Sequence, residues 1–117
     1  MVCVKFAADG SLGSAISNQG AIEVECVALD ELLSDPEPTL VKMDIEGAEP
    51  DALRGARRLI GGGKTAFGAC VYHAQDHLWS IPLLIHDMNP ELRHYLRPYM
   101  PEGWDLICYA IPQERVG

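Results

Sequence analysis

The segment "TLVKMDIEGAEPDALRGARRLIGGGKTAFGACVYH", residues 39–73, constrains the fold more than any other part of this chain. Its first piece, "TLVKMDI", is apolar on both faces of an extended strand, which suits a central parallel strand covered by helices. Gly47 supplies a turn. Pro50 fits the first turn of a helix, where a missing N–H costs nothing. Ala52, Leu53, Ala56, Leu59 and Ile60 then recur at helical spacing, with Arg54, Arg57 and Arg58 elsewhere on the wheel. Three glycines, 61–63, stop that helix. "TAFGACVYH" reads as a second apolar strand. Strand, helix and strand in this order predict a βαβ unit with parallel strands and a right-handed crossover.

The flanks add shorter elements. "MVCVKFAA" reads as a strand bounded by the turn signal Asp9-Gly10. "SLGSAISNQG" is a small, polar, Gly-rich loop. "AIEVECVAL" alternates, with Ile22, Val24 and Cys26 opposite Glu23 and Glu25, which predicts a half-exposed strand. Asp30 is placed to cap a short helix, "ELLS", and the prolines of "DPEP" end it. Beyond the βαβ unit, "HLWSIPLLIHDM" predicts a helix or helical turn broken near Pro82. "ELRHYLRPYM" and "WDLICYAIP" predict a closing antiparallel hairpin. Trp79, Tyr95, Tyr99 and Trp104 are expected to pack the last helix and the hairpin onto the sheet.

Composition narrows the function. The 117 residues are 48% apolar and 22% charged, enough for one core, so a single domain over residues 1–117 is expected. No apolar run is long enough for a transmembrane helix, and the N-terminus lacks a signal-peptide pattern. The net charge of −8 argues against a nucleic-acid partner. The short "RGARR" reads instead as the solvated face and C-terminal turn of a helix. Cys3, Cys26, Cys70 and Cys108 form no close-spaced pair, so they read as free thiols of a cytoplasmic protein.

Ligands of open parallel sheets bind beyond the carboxyl ends of the strands. Asp44 and Glu46 lie at that end of the first strand, and Tyr72 and His73 at that end of the second. A carboxylate and an imidazole there can act as a general base or hold a cation. Acids ahead of a helix are also stabilised by its free N–H groups, and Glu49 fits an N-cap or near-cap role. Asp44 stays open between structure and function. "HAQDH" offers two histidines, His73 and His77, four residues apart. That spacing favours a metal only on a continuous helix, so no metal ligands are assigned. His86 and His94 show no pattern beyond surface or hairpin positions.

"LVKMDIEGAEPDALRGARRLI" resembles the D-x-E-G-x-E segment of the FkbM family of S-adenosylmethionine-dependent methyltransferases. "VECVALDELL", "CVYHAQDHLWSIPLLI" and "LRHYLRPYMPEGWDLICYAIP" extend the resemblance over nearly the whole chain. It implies an α/β fold, a partial Rossmann-like methyltransferase sheet in which a βαβ unit is followed by a closing antiparallel hairpin. It also implies methyl transfer from S-adenosylmethionine to a hydroxyl oxygen of a sugar or polyketide-like small molecule. By match to the motif, Asp44 would lie beside the methyl-donor crevice, serving both cofactor binding and catalysis. Glu46 and His73 would be catalytic around the acceptor, and the loop at Ser17 and Asn18 would approach the cofactor's adenine end. The family's Gly-rich turn and ribose-binding acid have no match here, so the chain is expected to be a C-terminal half. A half sheet leaves an unpaired edge that invites homodimerisation. The alternative expectations are a non-catalytic α/β module that self-associates or binds a partner through that edge, and a metal-dependent site built from Asp44, Glu46 and His73 that acts without S-adenosylmethionine.

Overall fold

The structure is a computed structural model describing residues 2–7 and 14–117; the expected Asp9-Gly10 turn lies outside the described residues. In chain order the elements are β1 (Val2–Ala7), β2 (Ala15–Ile16), β3 (Ile22–Cys26), α1 (Leu29–Leu32), β4 (Leu40–Met43), α2 (Glu49–Arg54), α3 (Arg57–Gly62), β5 (Ala66–Cys70), α4 (His77–Met88), β6 (Arg93–Arg97) and β7 (Ile107–Ile111), with a final 3-10 turn at Gln113–Arg115.

The strands form two sheets. β2-β1-β3 is antiparallel, and β4-β5-β7-β6 is mixed. β4 and β5 run parallel, from Leu40 opposite Ala66 to Met43 opposite Ala69. β7 lies antiparallel to both β5 and β6. The βαβ unit and the closing hairpin are therefore both present. The position of β4 differs from expectation. It is an edge strand of the described sheet, with Leu40 54% exposed, whereas every residue of β5 is buried. An apolar run shows that a strand can be covered on both faces, but it carries no information on which strands lie beside it.

The expected single helix after β4 is two helices, α2 and α3, separated by a turn at Gly55 and Ala56. The break is fixed from outside. The Asp30 carboxylate accepts hydrogen bonds from the Arg58 N–H (2.7 Å) and the Leu59 N–H (3.0 Å). Asp30 thus caps α3 rather than α1, whose own N-cap, Ala28, offers no side-chain bond. Arg57 and Arg58 open α3 instead of closing a helix. The Arg58 guanidinium donates to Glu37 at 3.0 Å and to the carbonyls of Asp30 and Leu33. Gly63, at φ 70°, ends α3 in the left-handed conformation that glycine adopts without strain.

α4 runs unbroken through Pro82. A proline there forfeits one helical hydrogen bond, but α4 packs on α2, α3 and β7, and Ile81 and Ile85 are fully buried. That burial offsets the lost bond. The core gathers Leu53, Leu59, Ile60, Phe67, Ile81 and Ile85 between the helices and the mixed sheet. β3 is more open than its alternation predicts, with Ile22 51% and Val24 41% exposed. Among the described residues no helix packs closely on the three-stranded sheet. Trp79, Tyr95, Tyr99 and Trp104 are likewise exposed rather than packed. No helix of the described residues is long and apolar enough to cross a membrane.

Candidate active site

The parallel register of β4 and β5 ends both strands at the same level, so Asp44, after β4, lies beside the segment that follows β5. The turn after β4 is unusual. Glu46 adopts φ 56° and Gly47 φ 102°, and a side chain at positive φ needs surrounding structure to hold it. Glu49 supplies that hold. Its carboxylate is fully buried and accepts the Ile45 N–H at 2.9 Å and the Gly47 N–H at 3.0 Å. Glu49 is therefore not the N-cap of α2, a place taken by Ala48. It clamps the turn that presents Asp44 and Glu46.

His73 closes the cluster from the β5 side. Its side chain is only 8% exposed; Nε2 lies 3.3 Å from Asp44 Oδ1 and 3.4 Å from Glu46 Oε1, and Nδ1 lies 3.0 Å from Glu49 Oε1. Neither ring nitrogen has a hydrogen-bond partner despite these short distances. The chain bends between His73 and α4, so His73 and His77 do not share a helix face. Yet His77 Nδ1 comes within 4.0 Å of the other Glu49 oxygen. Both histidines thus face Glu49, from opposite ends of the bend.

Tyr72 joins a further acid to the group. Its hydroxyl is placed to donate to Asp44 Oδ1 at 3.3 Å or to Asp105 Oδ1 at 3.4 Å. Burial first, and then the charge of Asp44, push the Tyr72 phenol above its usual range, so it remains a neutral donor. The same two causes push the Cys70 thiol up to about 12, which makes it a poor nucleophile. Asp105, in the β6–β7 connection at φ 56°, carries no sequence signal. Only the hairpin's return to β5 brings it here. Trp104 stands edge-on to Tyr72, with ring centroids 5.9 Å apart.

These groups border a crevice of about 630 Å³ between the two sheets, with Asp44, Glu46, Tyr72 and Asp105 on one wall and Phe6 and Val24 on the other. A space of this size accommodates a cofactor-sized molecule. Of the residues singled out in the sequence, Asp44, Glu46 and His73 are brought together. Ser17 and Asn18 lie in the turn between β2 and β3, outside the crevice lining, where Ser17 Oγ accepts the Gln19 N–H at 3.2 Å.

Residues 5–97 match the family described as Methyltransferase FkbM domain. The chain belongs to the FkbM methyltransferase family. It is also similar to the crystal structure of Methyltransferase FkbM from Methylobacillus flagellatus KT, at 36% identity and a TM-score of 0.66, over 76% of this chain and 23% of that one. It thus spans about a quarter of that protein's length. Among curated proteins no significant match is found. The mixed α/β sheet of this FkbM-family chain, with its parallel β4–β5 pair and antiparallel β7, agrees with that similarity.

Proposed function

We propose that this FkbM-family chain is part of a cytoplasmic methyltransferase that uses S-adenosylmethionine to methylate a hydroxyl oxygen of a sugar or polyketide-like small molecule. The observation that carries this reading is the convergence of Asp44, Glu46 and His73 Nε2 within 3.4 Å beside the crevice. The crevice suits the donor in charge and polarity: carboxylates on one wall would attract its positively charged sulfur, and apolar strand residues line the facing wall. S-adenosylmethionine, when bound, supplies an electrophilic methyl group on that sulfur.

The chain's own residues then have distinct work. Asp44, held by the Tyr72 hydroxyl, places negative charge beside the donor. Glu46 and His73 flank the position of the acceptor hydroxyl, orient it and accept its proton as the oxygen–carbon bond forms and the carbon–sulfur bond breaks. Tyr72, kept neutral, fixes the carboxylates and does not compete as a base.

The test is calorimetric titration of the folded chain with S-adenosylmethionine, followed by the same titration of Asp44→Asn. Saturable binding, weakened about tenfold or more by the substitution, is expected for a charge facing a sulfonium. A folded chain that binds nothing refutes the assignment of this crevice to the donor. A second reading, self-association through the edge of β4, is favoured by the half-exposed Leu40 on that strand. A concentration-dependent dimer disrupted by Leu40→Lys would support it.

A further inference from the structure

We propose that Asp44, Glu49 and His73 form a binding site for one divalent cation, of the kind that accepts carboxylate and imidazole together, Mn²⁺ or Zn²⁺ rather than Mg²⁺ or Ca²⁺. Each of the three offers one ligand atom, and these atoms lie within 4.8 Å of one another. Metal–ligand bonds of about 2.1 Å put ligand atoms roughly 3.0–4.2 Å apart. A small rotation of Asp44, whose side chain is 40% exposed and accepts a hydrogen bond from Tyr72 at 3.3 Å, closes the difference.

Three observations point to a cation rather than to a solvated acidic cluster. The first is His73. Its side chain is more than nine-tenths buried and aimed into the carboxylates, yet neither ring nitrogen makes a hydrogen bond. Buried polar groups are rarely left unpaired. One ion binds through only one of these nitrogens, Nε2 beside Asp44 Oδ1 or Nδ1 beside Glu49 Oε1, and one ligand atom from each of the three residues lies within 4.8 Å of the others. The second is charge. Three carboxylates crowd the His73 imidazole, His77 Nδ1 reaches only Glu49 at 4.0 Å, and among the described residues no lysine or arginine pairs within 4.0 Å with Asp44, Glu46 or Glu49. A dication relieves that repulsion more completely than one protonated histidine can. The third is preorganisation. The two backbone N–H groups on Glu49 fix its carboxylate before any ion arrives, as the hydrogen-bonded carboxylates of metal sites are fixed. The mixture of oxygen and imidazole donors selects the cation class.

The site stands on its own geometry, whether or not the chain transfers methyl groups. If both readings hold, the ion occupies His73, and Glu46 is left to take the acceptor's proton.

The experiment is calorimetric titration of the chelator-treated, folded chain with Mn²⁺, Zn²⁺ and Mg²⁺, with the loss of the free Mn²⁺ spin-resonance signal as a second readout. Saturable binding near one ion per chain is expected, with Mn²⁺ or Zn²⁺ at least about tenfold tighter than Mg²⁺. Asp44→Asn and His73→Gln are each expected to weaken it at least about tenfold. Binding should also raise the melting temperature of the unsubstituted chain. A wild-type chain, folded by circular dichroism, that shows no saturable binding overturns the proposal. So does binding that Asp44→Asn leaves unchanged. Asp44 is partly exposed, so that variant is expected to fold and the test remains decisive if His73→Gln does not. None of these readouts uses S-adenosylmethionine, so failure here is separate from failure of the methyltransferase reading.

Discussion

Replacing Glu49 by glutamine tests what organises the turn between β4 and α2. The carboxylate is fully buried, and each oxygen accepts one backbone N–H, at 2.9 Å and 3.0 Å. A hydrogen bond to a charged group contributes about 1.5–3 kcal/mol. Glutamine keeps one acceptor oxygen but turns an NH₂ group toward the second N–H, so one bond is lost and two donors face each other. Some of that cost is offset, because the substitution removes a buried charge and its repulsion from Asp44 and Glu46. The expected net loss is about 2–3 kcal/mol, a fall in melting temperature of roughly 8–12 °C for a domain of this size. Asp44→Asn, at a partly exposed position, is expected to change stability by no more than about 0.5 kcal/mol. Urea unfolding followed by circular dichroism measures both. A Glu49→Gln chain as stable as the wild type would refute the clamp. Equal losses in the two variants would show that charge in the cluster, and not the two N–H bonds, sets the stability.

Two further outcomes follow from other parts of the fold. Asp30→Ala removes both capping bonds at α3 and should cost about 1–2 kcal/mol in urea unfolding, with Asp30→Asn recovering part of it. No loss would show that α3 needs no cap. His94 is expected to make the chain acid-sensitive: burial first, and nearby His86 second, lower its pKa in the fold. The unfolded chain then takes up a proton near the ordinary value of about 6.5 while the native chain resists it. This contribution is complete above that value and is lost as pH falls toward the depressed folded value. The urea midpoint of His94→Gln should therefore fall less between pH 7 and pH 5 than that of the wild type. Equal falls would sink the assignment.

Much of the frame was legible because local patterns and global packing agree. The apolar runs at 39–45 and 65–71, the turn at Gly47 and the glycine stop at 61–63 are one-dimensional signals of a βαβ unit, and the chain forms one, although Gly61 and Gly62 are still helical and only Gly63 ends α3. Positions that depend on distant partners were not legible. Asp30 looked like the cap of its own helix because capping is usually local, but its partners are 28 and 29 residues away. The helical periodicity of residues 52–60 continued through a break that only the packing of α1 against α3 reveals. Glu49 was legible as an acid near a helix start. That both of its oxygens point backward into the turn was not.

The candidate site divides in the same way. The amino-acid sequence determined which groups stand at the carboxyl ends of two parallel strands, Asp44 and Glu46 on one and Tyr72 and His73 on the other, because strand direction follows from the βαβ pattern, whereas the pairing of β4 with β5 is read from the fold. Tertiary structure alone decided that Asp105 joins them from the hairpin, that His77 turns toward Glu49, and that His73 sits buried among three carboxylates without a hydrogen bond. The physical reason is range. Hydrogen-bond periodicity is written within a few residues, whereas the distances between charged groups from separate elements exist only after those elements have packed.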